Sequence, residues 1–304
     1  YNYIEIKQEL ISKGYVFKSN TDTEVILNSY IEWGEECLNK FNGMWAFAIY
    51  DNQRKKLFFS RDRYGIKPFY YYVDDEQFIF ASEISAIKKV LRYKPVANNQ
   101  EIFNFLVYNR TDYSEKTFFK DINKLQHGFC LSIELNMDNK GYNEKMAIDG
   151  WKPLQKNSRV YRRKWYDLKK QVNISKPFNG SDEYKDIFKS AIGLRLRSDV
   201  PVGVCLSGGL DSSSIASVLL QDFHKTDLNT FSAVYDPSQT CDESQYINEY
   251  CDLVKRMHFT TPSAENFFDD IPSFIKTHAE PLPSTSTYAQ YKVMELASKH
   301  VVVT

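Results

Sequence analysis

The amino-acid sequence predicts two domains of different classes: an α+β domain with antiparallel sheets, followed by an α/β domain with a doubly wound parallel sheet. The chain has 304 residues, which is enough for about two domains of ordinary size. Residues 44–81 hold aromatic-rich runs separated by turn residues, a pattern typical of short antiparallel strands. From residue 183 onward, helical and strand-like patterns alternate, which predicts a parallel sheet with crossover helices.

The composition excludes several classes of function. Lysine plus arginine and aspartate plus glutamate both number 39, so bulk charge does not hold the chain to nucleic acid or to an anionic membrane. No apolar run approaches the roughly 18 residues of a membrane-spanning helix, and no secretory signal opens the sequence. The five cysteines include no CxxC pair, which is typical of the reducing cytosol. We therefore expect a cytoplasmic protein without nucleic-acid or membrane partners.

The first domain is expected at residues 1–140. Gly14 ends an opening helical pattern, and Thr21 with Glu24 has the spacing of a capping box, which begins a second helix. After the aromatic-rich runs, a short helix and a last strand complete the domain. The expected helices lie at 4–13 and 85–91, with a third that begins at the capping box and carries Val25, Ile26, Tyr30 and Ile31. The expected strands lie at 15–18, 44–50, 56–60, 68–73, 77–81 and 129–135.

The second domain is expected at residues 176–304. The segment 141–175 before it is expected to be a linker or variable segment, because its first part interleaves Asn, Asp, Gly and Lys. The expected helices of the second domain lie at 183–197, 213–223, 243–257, 264–276 and 288–299, and its strands at 200–206, 230–235, 258–261 and 301–304.

A glycine- and serine-rich loop follows the predicted strand 200–206 and has the sequence Ser207-Gly208-Gly209-Leu210-Asp211-Ser212-Ser213. Two glycines let the backbone approach a phosphate closely, and the next helix points its free N–H groups and positive dipole end at the same place. The carboxylate of Asp211 would repel phosphates unless a cation lies between them, so it implies Mg²⁺.

The sequence of this loop offers other interpretations. It contains neither GxxxxGK[ST] nor GxGxxG, so it is not one of the common nucleotide loops. The run Cys205 to Gly209 is one glycine short of the GxSxG nucleophile elbow, which also lies between a strand and a helix. A third interpretation is that the loop is an ordinary capped start of a helix, without a ligand. The strand–loop–helix context favours phosphate binding.

Several motifs of this sequence together resemble one family. SGGLDSS is similar to the pyrophosphate loop of ATP pyrophosphatases. The first half resembles the class II glutamine amidotransferase domain of glutamine-hydrolysing asparagine synthetases. The resemblance is carried, in order, by Asn2, Thr21 to Val25, Phe41 to Ala48, Ser60 to Pro68 and Phe80 to Glu83. It implies an Ntn-hydrolase-like first domain, an ATP-pyrophosphatase second domain and a carbon–nitrogen ligase that uses glutamine, aspartate and ATP with Mg²⁺.

The resemblance also implies roles for particular residues. Asp22 is expected to bind the α-amino group of glutamine, although a carboxylate there would also suit a helix start. Asp211 is expected to hold Mg²⁺ and pyrophosphate, and the loop 280–288 to line the aspartate and AMP pocket. The expected ATP-binding residues are Cys205, Ser207, Gly208, Gly209, Asp211, Ser212 and Ala233. The cations Arg61, Arg63 and Lys67 are expected to belong to a structural turn that packs the two domains.

The family's catalytic cysteine and oxyanion residues precede the Tyr-Asn-Tyr with which this sequence opens. Both ends look cut, so the sequence as given is expected to lack glutaminase activity. Three alternatives stay open: amidation of another carboxylate on a sugar or peptide precursor, a β-lactam-synthetase-like ligase without glutaminase activity, and a binding module that is not an enzyme. A homodimer is a further open expectation.

Overall fold

The computed structural model describes residues 2–74, 77–135, 159–177, 179–235 and 242–304. The chain forms two compact units, Tyr1–Lys176 and Pro177–Thr304. The helices are α1 (Tyr3–Ser12), α2 (Asp22–Trp33), α3 (Ile84–Val90), α4 (Asn99–Tyr108), α5 (Leu168–Ile174), α6 (Ser181–Arg195), α7 (Leu210–Gln221), α8 (Ser244–Asn248), α9 (Ala264–His278) and α10 (Ser286–Ala297), with a 3₁₀ helix at Gly34–Asn39. The strands are β1 (Ala46–Asp51), β2 (Lys56–Arg61), β3 (Tyr70–Val73), β4 (Phe78–Ala81), β5 (Ile122–Lys124), β6 (Phe129–Glu134), β7 (Arg159–Lys164), β8 (Gly203–Cys205), β9 (Asn229–Ala233) and β10 (Arg256–Thr260).

The first unit contains two antiparallel sheets, with strand orders β1-β2-β6-β7 and β4-β3-β5. Successive side chains of β2 show how the layers stack. Phe58 belongs to the core under α1 and α2, whereas Phe59 belongs to the core shared with Phe69 and Tyr71 from the second sheet. Because neighbouring residues of a strand point to opposite faces, the first sheet is covered by helices on one face and by the second sheet on the other.

Helix α3 packs against β3 and β4, and its Ile84 and Ile87 are buried. The first unit is therefore layered as helices, sheet, sheet and helix. The expected α+β class with antiparallel sheets is confirmed.

The second unit contains a parallel sheet in the order β10-β9-β8. Val303 continues it on the far side of β8, where Gly203 N donates to Val303 O at 2.8 Å. The chain thus adds β9 and then β10 on one side of β8, and afterwards returns to place Val303 on the other side of β8. This makes the edge of β8 next to Val303 the topological switch point, where ligands of open α/β sheets bind outside the carboxyl ends of the strands.

Helices cover both faces of the parallel sheet. Val204 packs with α6 and α7 side chains, and the following residue, Cys205, packs with Val293 and Ala297 of α10. The expected parallel, doubly wound architecture is confirmed.

Besides the strands expected at 15–18, where none forms, and at 301–304, where only Val303 forms a bridge, three local expectations differ from the structure. The helix expected at 243–257 ends at Asn248, and 256–260 is the strand β10, because its residues pair with β9. Residues 159–174, expected within the linker, form β7 and α5. The strand β7 lies at the edge of its sheet and is rich in arginine and lysine, which protects a sheet edge from pairing with other chains. The same composition is typical of a polar linker, so the strand was not expected. Positions 136–158 of that segment lie outside the described residues.

The third difference concerns the start of α2. Thr21 Oγ1 accepts from Glu24 N at 3.4 Å, as a capping box requires. The carboxylate of Glu24, however, accepts from Lys18 N at 2.8 Å and Ser19 N at 2.7 Å. These hydrogen bonds from Lys18 and Ser19 lower the pKa of Glu24. In the described part of the chain, no helix is long and apolar enough to cross a membrane.

Candidate functional site

The glycine- and serine-rich loop lies at the carboxyl end of β8, between Cys205 and the first residue of α7, Leu210. Gly208 has φ +89°, a backbone conformation that favours glycine. A Cβ there would lie 3.0 Å from the carbonyl oxygen of Glu243. The loop is therefore packed against the start of α8 and needs glycine for two separate reasons.

Two serine hydroxyls hold the loop in shape. Ser212 Oγ accepts from Ser207 N at 3.2 Å and lies 3.0 Å from Ser207 Oγ. Ser207 Oγ in turn accepts from Gly209 N at 3.3 Å, and Ser212 Oγ donates to Gly209 O at 3.1 Å. The hydroxyls expected to bind ATP thus already fold the loop around the N-terminal end of α7.

Asp211 is the second residue of α7 and is exposed. Its carboxylate has no hydrogen-bond or ion-pair partner within the described ranges, so it is available to a ligand at the positive end of the helix dipole. Among those same residues, no group of three or more His, Cys, Asp and Glu side chains could hold a metal ion. Mg²⁺ in nucleotide sites takes one or two protein carboxylates and completes its shell with phosphate oxygens and water, which a single Asp211 fits.

Cys205 and Ala233 lie at the carboxyl ends of neighbouring strands. Cys205 is paired with Phe231, and Ala233 is two residues further along β9, so both flank the switch-point end of the sheet. Both pack against the cluster that contains Phe231 and Val293. Burial raises the pKa of the Cys205 thiol, and a weak hydrogen bond from Gln290 only partly offsets this. The Cys205 thiol is therefore held in its protonated form.

Asp22 belongs to the first unit, where it is the first residue of α2. It borders a pocket with about 410 Å³ of empty volume, whose lining includes Asn2, Phe41, Asn42 and Trp45. A second hollow of about 920 Å³ shares Asp22 and Trp45 and extends to Lys67. Within the described residues, the Asp22 carboxylate accepts a hydrogen bond only from Thr23 Oγ1, at 3.4 Å. An exposed carboxylate at a pocket mouth suits a primary ammonium group.

Comparison with known protein families accounts for both units. The family model of a glutamine amidotransferase domain matches residues 1–144, and the asparagine synthase model matches residues 183–304. The order of these two matches along one chain is the deciding observation.

The chain belongs to the glutamine-hydrolysing asparagine synthetase family.

Individual relatives agree with this assignment. A Methanocaldococcus jannaschii protein, provisionally named glutamine-hydrolysing asparagine synthetase 2, is 34% identical over all of this chain and 54% of its own length. Asparagine synthetase 1 of Bacillus subtilis is 30% identical over all of this chain and 44% of its own length. Asparagine synthetase 3 of the same species is 31% identical over 78% of this chain and 35% of its own length. The chain thus spans about half, or less, of these relatives.

A solved structure titled as the allosteric regulatory enzyme of purine biosynthesis matches 86% of this chain and 57% of its own, with 12% identity and a TM-score of 0.34. A likeness of this size supports no argument about the fold.

The structure of this asparagine synthetase family chain gathers most of the expected site residues. Cys205 and the loop from Ser207 to Ser212 lie together at the end of β8, with Ala233 on the next strand. The expected lining loop 280–288 ends in the first turn of α10, where Tyr288 is buried. Asp22 lies in the other unit, as expected of a residue of the amidotransferase domain.

Sequence reasoning gave no role to Asp62, whose side chain is bonded to Trp45 of the pocket that Asp22 borders. The residue was quoted within the motif 60–68 but given no function, whereas its side chain is buried and accepts from Trp45 N. The cations beside it were expected to form a structural turn. Arg61 donates to the carbonyl oxygens of Gly65, Lys67 and Leu125 at 2.7–2.8 Å. A signal was present in the sequence: an aspartate after a strand and before Gly65, the composition of an Asx turn.

Proposed function

We propose that the protein carrying this chain makes asparagine: it amidates the side-chain carboxylate of aspartate with nitrogen from glutamine and cleaves ATP to AMP and pyrophosphate. This proposal rests on one observation: the glycine- and serine-rich loop lies at the topological switch point of a parallel sheet, in one chain with a glutamine amidotransferase domain. The names of the relatives support asparagine as the product.

In the proposed reaction, an oxygen of the aspartate β-carboxylate attacks the α-phosphorus of ATP. The bond between the α-phosphorus and the bridging oxygen breaks, and β-aspartyl-AMP and pyrophosphate form. Ammonia released from glutamine then attacks the acyl carbon, loses a proton, and displaces AMP. The first step develops charge on the leaving pyrophosphate, so donors fixed beforehand at that position lower the barrier.

The loop residues of this chain supply such donors. Gly208 and Gly209 let the backbone approach the β and γ phosphates, and the free N–H groups at the start of α7 point to the same place. Ser207 and Ser212 keep the loop folded through their mutual hydrogen bonds. Cys205 and Ala233 form an apolar wall suited to adenine. Mg²⁺, when bound with ATP, neutralises phosphate charge, and Asp211 is the residue that would hold it.

In the amidotransferase unit, Asp22 would bind the α-ammonium group of glutamine. Its position at a pocket mouth, with only a 3.4 Å hydrogen bond from Thr23 in the described part of the chain, supports this role. A homodimer and a cytoplasmic location stay predictions.

The proposal is tested by aspartate-dependent exchange of labelled pyrophosphate into ATP, measured in the protein that carries these residues. Asp211→Ala is expected to abolish exchange and to spare glutamine hydrolysis. Asp222→Ala is the matched control, because Asp222 lies at the other end of α7 and pairs with Lys189 at 2.5 Å. Normal exchange in Asp211→Ala, or exchange that depends on a carboxylic acid other than aspartate, would contradict the proposal.

A further inference from the structure

One segment, 41–45, forms a continuous wall of the pocket that Asp22 borders. Its residues that line the pocket are Phe41, Asn42, Gly43, Met44 and Trp45. Asn42 to Trp45 precede β1 and lie outside helices and strands. Because no ladder of a helix or sheet fixes this stretch, its shape depends on hydrogen bonds from elsewhere in the unit.

Asp62 holds one end of this wall. Its side chain is 1% exposed, and each carboxylate oxygen accepts two backbone N–H groups. Oδ2 accepts from Trp45 N at 3.3 Å and Lys67 N at 3.0 Å. Oδ1 accepts from Tyr64 N and Ile66 N, both at 3.0 Å. A buried carboxylate is tolerated when its lone pairs are satisfied in this way.

The backbone of Asp62 is also hydrogen-bonded to Trp45. Asp62 N donates to Trp45 O at 2.9 Å, so both backbone polar groups of Trp45 are held by one residue. The Trp45 indole N–H donates to Ser60 Oγ at 3.0 Å. Arg63, which follows Asp62, donates to Phe41 O and lies over the Trp165 ring at 5.1 Å. The segment 60–63 thus fixes the wall at its first and last residues.

Asn2 holds the wall at Asn42, the second of its five residues. Its Oδ1 accepts from Asn42 N at 2.8 Å, and its Nδ2 donates to Lys40 O at 2.9 Å. Asn2 N donates to Asn42 O at 3.2 Å. Asn2 immediately precedes α1 and itself lines the pocket, so it connects the wall to a helix of the core.

We propose that Asp62 and Asn2 are positioning residues of the glutamine pocket, which act through the wall 41–45 to hold it at the distance from Asp22 that glutamine requires. This inference rests on the proposed function of Asp22. Asp62 does not have to touch glutamine for this effect. Its carboxylate accepts a hydrogen bond from Trp45 N, and Trp45 lines the pocket.

The decisive substitution is Asp62→Asn, which has the same shape. Each carboxylate oxygen serves two N–H groups, so either orientation of the amide places its NH₂ against two backbone donors. The asparagine variant must therefore release either Trp45 and Lys67 or Tyr64 and Ile66. An unsatisfied buried donor is costly in either orientation and displaces Asp62 itself. Because Asp62 N also donates to Trp45 O, we expect glutamine affinity to fall about tenfold and exchange of the Trp45 amide hydrogen to accelerate.

Asn2→Ala is the second variant, because it removes two hydrogen bonds at a partly exposed site and leaves the buried carboxylate in place. Asp51→Asn is the matched control. Asp51 also caps a turn, accepting from Gln53 N at 3.0 Å and Arg54 N at 2.9 Å, but it lines neither hollow. All variants are compared by calorimetric titration with glutamine and by amide exchange of residues 41–45.

The expected result is weakened glutamine binding and faster exchange in Asp62→Asn and Asn2→Ala, with Asp51→Asn unchanged. Glutamine affinity equal to wild type in both wall variants would overturn the proposal, whatever their thermal stability. The titrations use the unsubstituted protein that carries these residues and its variants. If the wall loosens in both variants but that unsubstituted protein binds no glutamine, the proposed role of Asp22 fails while the positioning of the wall by Asp62 and Asn2 stands.

Discussion

Gly208 lies so close to Glu243 that a Cβ on the glycine would be 3.0 Å from the Glu243 carbonyl oxygen and 3.1 Å from its Cβ. Glu243 immediately precedes α8, so this contact sets the phosphate loop against a second helix start. The side chain of Tyr250, further along, also reaches α7: Tyr250 Oη donates to Ser213 O at 3.0 Å. The loop conformation therefore depends on the placement of residues 243–250.

Gly208→Ala is expected to weaken binding of MgATP about tenfold, because alanine resists φ +89° and its methyl group meets the Glu243 carbonyl. Gly14→Ala is the control. Gly14 has φ +93°, but nothing lies within 4 Å of a Cβ there, so it carries the backbone strain without the contact. Calorimetric titration with MgATP checks the difference, and equal affinities in the two variants would contradict the contact.

Cysteine labelling tests the nucleotide wall. Burial raises the pKa of Cys37 to about 12 and that of Cys130 to about 11, and Cys251 is exposed. Because the thiolate is the reactive form, iodoacetamide at pH 8 is expected to modify Cys251 first and Cys37 and Cys130 last. MgATP should slow modification of Cys205 and leave Cys251 unaffected. Peptide mass mapping gives the rates of modification. A Cys205 rate that MgATP leaves unchanged would contradict the proposal that Cys205 lines the adenine site.

Glu35 gives a pH-dependent prediction for the first unit. Burial alone would raise its pKa, but hydrogen bonds from Lys56 at 2.5 Å and Ser132 at 2.9 Å, with the charge of Arg163, hold the pKa below its usual value of 4.5. A lowered folded-state pKa stabilises the fold above the unfolded value, and this is lost as the pH falls through the folded value.

Glu35→Gln is therefore expected to lower the free energy of unfolding by about 1–2 kcal/mol at pH 7. The difference from the unsubstituted chain should shrink as the pH falls below about 4.5 and vanish below the folded pKa. Urea denaturation at several pH values measures it. A difference that is constant with pH would show that packing, and not the carboxylate charge, explains the loss.

Asp270 joins α9 to α10 in the second unit. Its Oδ2 accepts from Tyr288 Oη at 2.7 Å and from Lys292 Nζ at 3.0 Å. These two hydrogen bonds lower the pKa of Asp270. Burial of the Tyr288 side chain and its hydrogen bond to Asp270 raise the pKa of Tyr288 to about 12. Tyr288→Phe should cost about 1 kcal/mol of unfolding free energy. Tyr291→Phe, on the same helix with a hydroxyl 3.1 Å from Ser273 Oγ, is the control, and an equal loss in both variants would deny Asp270 a special role.

Much of the fold could be predicted because its signals are local. The first and last residues of β2 and β6 lie close to the expected ones, since aromatic and branched residues alternate there with turn residues between them. The helix expected at 243–257 was wrong beyond Asn248, and the strand expected at 258–261 begins two residues earlier, because Arg256 and Met257 join β10 only by pairing with β9. The strand β7 was missed for the same reason.

The conformation of the glycine- and serine-rich loop was almost wholly predictable from the sequence, because its residues are consecutive: Ser207 to Ser212 bond mainly to one another. The amidotransferase pocket was not. Asp22 was found by resemblance, but the supports of its pocket come from segments distant along the chain, as Asp62 and Trp45 are separated by 17 positions and Asn2 and Asn42 by 40.

The sequence by itself determined the class of each half and the place of the glycine- and serine-rich loop between a strand and a helix, because hydrophobic period, glycine content and short polar motifs act within a few residues. Only the tertiary structure decided that Asp62 and Asn2 hold one pocket wall and that Glu243 confines Gly208. Those relationships arise when separate elements pack, and a hydrogen bond between distant residues forms only where burial of the core brings its donor and acceptor within about 3 Å.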